Sequence, residues 1–235
     1  MPREEKKNRP IVIVTYPGVA LFDLVATKTV LDSLAMGTRH RSVTLGEHTE
    51  PMDSNTPMRI IPEKRFEEVP DPFAIIVPGG GANALEAMGN ERLLNYLRFA
   101  EHGAELVSSV STGALILAAA GLLEGRQATT HWAFYKIIEN LGAEYVRKRW
   151  VEDRKFIFSA GVSAGIDMAL ALAARLTDEE TAQRVQRSLG YDPHPPFGGI
   201  DYDRLDAISG TIRAGVSLAA PAIAAKPKRL TRRGR

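Results

Sequence analysis

The sequence predicts an α/β fold, a doubly wound and mostly parallel sheet sandwiched by helices, on three observations. Its clearest strand-like runs are apolar and β-branched throughout rather than alternating, as strands buried on both faces are. They alternate with helical patterns over roughly 100 residues. Each run also ends in turn chemistry that leads into a helix.

The first run is PIVIVTYPG (10–18). After it, DLVATKTVLDSLAM (23–36) places Leu24, Val30, Leu31 and Leu34 in one helical arc. The second run, FAIIVPGGG (73–81), precedes NERLLNYLRFAEH (90–102), which opens on an Asn90 cap with Glu91 in its first turn. The third, ELVSSV (105–110), runs straight into Ser111 and a small-residue helix. Further on, RKRWVEDRKFIFSAG reads as two short strands about a polar turn at Glu152–Asp153. The Ala- and Gly-rich 161–176 is a helix expected to pack closely on the sheet. Residues 178–190 form an amphipathic helix with acidic residues at its start and Gly190 as its stop. The prolines and glycines of YDPHPPFGG (191–199) end regular structure. No repeat or linker divides the chain. One domain over 10–200 is expected, with a flexible N-terminus at 1–9. A C-terminal extension with one more helix should follow at 201–225, then a basic tail at 226–235.

With 235 residues, 44% hydrophobic and 25% charged, the chain has the composition of a globular protein with a substantial core. Cysteine is absent, which excludes disulfides, thiolate metal sites and redox chemistry through a thiol. No apolar stretch approaches the roughly 20 residues of a membrane helix. MPREEKKNRP has no apolar core and is no secretory signal, so a cytoplasmic address is expected. The formal charge of +2 is uneven: KPKRLTRRGR holds six basic and no acidic side chains, leaving the body of the chain mildly acidic. Such a tail reads as a solvated end rather than a nucleic-acid site. The five histidines lack metal-ligand spacing, and PGGG is not a dinucleotide fingerprint, so neither metal nor cofactor is expected.

In an open parallel sheet, ligands bind at the carboxyl ends of the strands. Asp23 follows the first such end, Gly79, Gly80 and Gly81 the second, Ser111 and Thr112 the third. A residue at a tight strand-to-helix junction projects its side chain outward while the next N–H points into the same space. That is a nucleophile elbow with part of an oxyanion hole. Small residues must flank it, and Ser109 and Gly113 do. Serine is also a favoured helix cap, so position alone leaves both roles open. Asp167, inside an apolar helical run, reads as a hydrogen-bonded carboxylate or a contact between copies.

SVSTGALILAAAGLLEGRQATTHW (109–132), with IIVPGGG (75–81), SAGVSAGIDMAL (159–170) and YDPHPPF (191–197), resembles the ThiJ/PfpI superfamily. Its fold is flavodoxin-like and glutamine-amidotransferase-like. More narrowly, the motifs are similar to the branch of isonitrile hydratases and the sensor halves of AraC-type regulators. The resemblance spans about residues 10–197. It implies that Ser111 stands in the place of a nucleophilic cysteine and that His131 approaches it. It also implies that Asp23 is the acidic residue near the first strand, and that Gly80 and Thr112 give oxyanion-hole N–H groups with Gly81 beside them. The sequence departs at DLVAT (23–27), where the family has D-L-x-G-P. The implied reaction is hydration of an isonitrile to an N-substituted formamide by a homodimer. The alternatives are a catalytically silent small-molecule sensor and a peptidase or amidase. Fewer than 40 residues follow Phe197, so no DNA-binding domain is expected there. Serine, unlike cysteine, ionises little near neutral pH and needs a hydrogen-bonded base, for which His131 is the candidate.

Overall fold

The computed structural model describes residues 9–35 and 41–201. The expected C-terminal helix and basic tail lie outside these residues. Among the described residues, seven strands make the main sheet, in the order β10-β11-β7-β6-β1-β2-β5. In chain order they are β1 (Ile11–Val14), β2 (Ser42–Gly46), β5 (Lys64–Arg65), β6 (Ala74–Val77), β7 (Leu106–Val110), β10 (Trp150–Asp153) and β11 (Phe156–Ser159). All neighbours are parallel except the antiparallel β10–β11 hairpin. Two-residue ladders lie beside it: β3 (Met52–Asp53) with β4 (Arg59–Ile60), and β8 (Gln127–Ala128) with β9 (Glu144–Tyr145).

Both faces are covered, which explains the continuous apolar strands. Ile11, Ile13, Ala74, Ile76, Leu106, Val110 and Ile157 pack on α1 (Leu21–Ala35) and α6 (Ala164–Leu176) through Leu24, Leu31, Met168 and Leu172. Alternate residues of the same strands, Val12, Val14, Ile75, Val77, Val107, Phe156 and Phe158, face the other layer. That layer holds α2 (Ala82–Ala87), α3 (Glu91–Gly103), α4 (Gly113–Ala119) and α5 (Tyr135–Asn140). The last helix among the described residues, α7 (Glu179–Ser188), is capped by Asp178, which accepts from Thr181 N at 2.7 Å. As expected, Asn90 caps α3, accepting from Leu93 N at 3.1 Å. Among the described residues no helix is long and apolar enough to cross a membrane.

Three details differ from the sequence reading. The β10–β11 turn falls at Arg154–Lys155, not Glu152–Asp153, because those two acidic residues belong to the edge strand. β2 and the short ladders carry no apolar signature strong enough to predict. Arg9, assigned to the N-terminal extension, is anchored: its guanidinium donates to Asp71 (2.6 Å) and Gly103 O (3.0 Å) and lies over Phe73.

Sheet order reverses between β1 and β6, so their carboxyl ends open a crevice at the switch point. The residues that follow β1, β6 and β7 meet there.

Candidate active site

Ser111 joins β7 to α4 with φ 54°, in the left-handed region that costs a non-glycine residue roughly 1–2 kcal/mol. Its backbone is fixed at both groups. The Ser111 N–H donates to Ser159 O (3.0 Å), and its carbonyl accepts from Thr130 Oγ1 (2.8 Å). A Cβ at Gly113 would lie 1.9 Å from Val77 O, so the second position after the elbow admits only glycine. This is the elbow the sequence anticipated, and Ser111 does not act as a cap: no side-chain cap bond starts α4. The residue keeps 6% of its surface exposed, and Ser111 Oγ makes no hydrogen bond with any described residue.

Asp23 is the third residue of α1 and fully buried. It caps no helix of its own. Its Oδ2 reaches across the switch point to accept from Gly79 N (2.9 Å), while Oδ1 is buried without a partner. Desolvation, only partly offset by the Gly79 N–H, pushes its carboxyl up to about 6. Tyr16, which donates to Pro78 O (2.9 Å), is held well above its ordinary value by burial and by the Asp23 charge. Gly79 separates Asp23 from the elbow. A Cβ there would stand 2.7 Å from Asp23 Oδ2 and 2.9 Å from Thr112 N, so glycine lets carboxyl and elbow approach.

Two expected roles come out differently. The Gly80 and Gly81 N–H groups do not face open space; both donate to Thr112 Oγ1, each at 3.0 Å. Thr112's own N–H donates to no described group. His131 is not bonded to Ser111 either. Its ring lies beside Trp132 and Phe134, and its Nδ1 accepts from Ala133 N (3.3 Å). Burial lowers its basicity, and an accepting Nδ1 puts the proton of the neutral ring on Nε2. In that form Nε2 cannot take a proton from Ser111. The sequence could not foretell this, since twenty residues of chain separate the two.

Asp167 is a hydrogen-bonded carboxylate, as one of its readings had it. Arg149 Nε donates to Oδ2, and Tyr191 Oη donates to Oδ1 at 2.7 Å. Among the described residues no group of three or more His, Asp or Glu side chains gathers as a metal site would. Clefts of about 490 Å³, along Gln127, Val146 and residues 148–152, and about 260 Å³, between Leu24, Lys28 and Ile60, are lined by neither Ser111 nor Asp23.

The DJ-1/PfpI family model matches residues 9–175. Isonitrile hydratase of Pseudomonas putida is 40% identical over 187 residues, 80% of each chain. The HTH-type transcriptional regulator CdhR of Pseudomonas aeruginosa is 34% identical over 97 residues, 40% of this chain and 28% of its own. Among solved structures, a ThiJ/PfpI family protein from Pseudomonas syringae superposes with a TM-score of 0.79 at 29% identity, covering 95% of this chain and 92% of that one.

Proposed function

The chain belongs to the DJ-1/PfpI family, and we propose that it has the active site of an isonitrile hydratase with serine in place of the nucleophilic cysteine. The observation that carries this reading is the elbow. Ser111 is locked at positive φ with an unbonded hydroxyl, and across Gly79 from the elbow stands a buried carboxyl whose second oxygen has no partner among the described residues.

In the proposed reaction, the Ser111 oxygen attacks the terminal carbon of R–N≡C. The hydroxyl proton passes through Asp23 to that same carbon, leaving an imidate, Ser–O–CH=N–R. Water then adds across the C=N bond, its hydroxyl going to carbon and its proton to nitrogen, again with Asp23 as the carrier. The C–O bond to Ser111 breaks, the serine recovers its proton, and R–NH–CHO leaves. A carboxyl poised at about 6 exchanges protons in both directions near neutrality, which suits a group that must donate and accept in one cycle. The unoccupied Thr112 N–H, at the positive end of α4, polarises the site.

Serine slows this sequence at its first step. A thiol at such a junction ionises near neutral pH, whereas a hydroxyl needs a bonded base, and none is bonded to Ser111. The same lack leaves serine peptidase or amidase chemistry without its base. Ser111→Cys should therefore raise the rate of formamide formation from an alkyl isonitrile at least about 100-fold over the serine form. No formamide from either form, read by chromatography against authentic product, would contradict the reading.

The unbonded Ser111 hydroxyl favours one second reading, a small-molecule sensor without turnover. In that case the serine form should show an isonitrile-dependent thermal shift, and the cysteine form should bind without producing formamide.

A further inference from the structure

The buried stripe of α1 consists of Asp23, Leu24, Thr27, Val30, Leu31 and Leu34, of which Leu24 and Leu31 pack on the sheet and α6, and Val30 and Leu34 on α6 and α7. Two of the six are polar, and they stand one helical turn apart. Side chains at i and i+4 lie over one another, with Cβ atoms about 5–6 Å apart. Asp23 Oδ1 and Thr27 Oγ1 are both closed to solvent, and neither has a partner among the described residues.

A threonine within a helix ordinarily returns its hydroxyl to the carbonyl four residues back. Thr29, in the same helix, does so to Val25 O at 2.8 Å. Thr27 does not, although a buried hydroxyl left unpaired is destabilising. Gly165 of α6, without a side chain, lies beside it. The position a Cβ would take at Gly165 of α6 lies 3.7 Å from Thr27 Oγ1 and 3.0 Å from Val110 Cγ1. Ser108, two residues before Val110 and so on the same face of β7, also has a buried Oγ without a partner. Three orphan oxygens thus share the layer between the sheet and α1–α6. Two buried oxygens one helical turn apart and not bonded to each other are the environment that holds a single buried water. Thr27 is also the second residue of the Ala26–Thr27 pair that departs from the Gly-Pro of similar sequences. Proline carries no hydroxyl, so the group belongs to this chain's variant of the segment, which here is the second turn of α1.

We propose that Thr27 is a positioning residue for Asp23: its hydroxyl and Asp23 Oδ1 share one bound water, which fixes the free end of the carboxyl while Gly79 N–H fixes the other. That water also gives the Oδ1 proton a defined acceptor. Tyr16, at the end of β1, is the titratable group whose charge couples to Asp23. Asp167 on α6 is turned to Arg149 and Tyr191, and Lys28 on α1 to Asp32, Glu63 and Ser42. Turnover enters only through the proposed function; the positioning itself does not depend on it.

The test follows the Asp23 carboxyl band by difference infrared spectroscopy across pH 4–9, with Asp23→Asn as the blank, in the whole protein and in Thr27→Val and Thr27→Ser. Losing the water-held donor should raise the Asp23 midpoint by roughly half to one pH unit in the valine variant, and serine should restore it. Thr27→Ala takes the place of valine if that variant does not fold. An unmoved midpoint overturns the proposal, as does a shift that serine fails to reverse. A valine variant that melts higher with its midpoint unmoved would identify the hydroxyl as simply unpaired. A midpoint that moves while Ser111→Cys makes no formamide sustains the positioning role and refutes the proposed reaction.

Discussion

Asp23 and Asp167 occupy equivalent places: each lies in the first turn of a helix, α1 or α6, and the two helices pack together on one face of the sheet. Their environments are opposite. Asp167 has both oxygens engaged, by Arg149 and Tyr191, in a side chain 22% exposed. Asp23 is sealed, receives one N–H from Gly79 and has one oxygen with no partner among the described residues. A carboxylate whose partners neutralise it ties elements together, here the segment entering the edge strand, α6 and the segment after α7. A carboxyl denied such partners by burial is the one whose proton is available for chemistry.

Removing the carboxyl from each site sharpens that contrast. The largest effect is expected at Asp23. With a folded-state value of about 6 against an ordinary 3.8, the native state binds more protons than the unfolded chain between those limits. Stability is then fullest below about pH 4 and falls as pH rises through 6, by about 3 kcal/mol in total. Asp23→Asn keeps an acceptor for Gly79 N–H and abolishes the titration. It should make the protein more stable at pH 8, by up to about 3 kcal/mol, and flatten its stability between pH 4 and 7. Urea unfolding at pH 5 and pH 8 reads both.

Asp167→Asn should act in the other direction and more weakly, destabilising by about 1 kcal/mol, because Arg149 is half exposed and regains solvent. The same unfolding experiment reads it. A large loss at Asp167, or no gain in stability at pH 8 at Asp23, would mean that the assignment of the two carboxylates is reversed.

The sheet was legible from sequence where burial left a mark on every residue. IVIV, AIIV and LVSSV are covered on both faces, so each reads as an unbroken apolar or small-residue run. β2, SVTLG, mixes hydroxyls with apolar residues at the edge of the core, and β3, β4, β8 and β9 are two residues each. Their pairing is decided by tertiary contacts, for which no period exists in the chain. In the site, Ser111, Asp23, Thr112 and the glycines could be placed because each follows a strand whose end the sequence defined. What a hydrogen bond decides could not be read. Thr112 Oγ1 takes the Gly80 and Gly81 N–H groups, and His131 turns to Ala133 rather than to Ser111. Thr27 did leave a trace, as a break in the D-L-x-G-P pattern, but only its buried, unpaired hydroxyl gives that break a meaning.

The most direct test measures formamide formation from an alkyl isonitrile by Ser111→Cys protein carrying either Asp23→Asn or Asp167→Asn. The first combination should lose about 100-fold or more relative to Ser111→Cys alone, and the second should stay within a few-fold of it. Equal rates in the two combinations would contradict the division of labour between the two carboxylates on which the proposed chemistry stands.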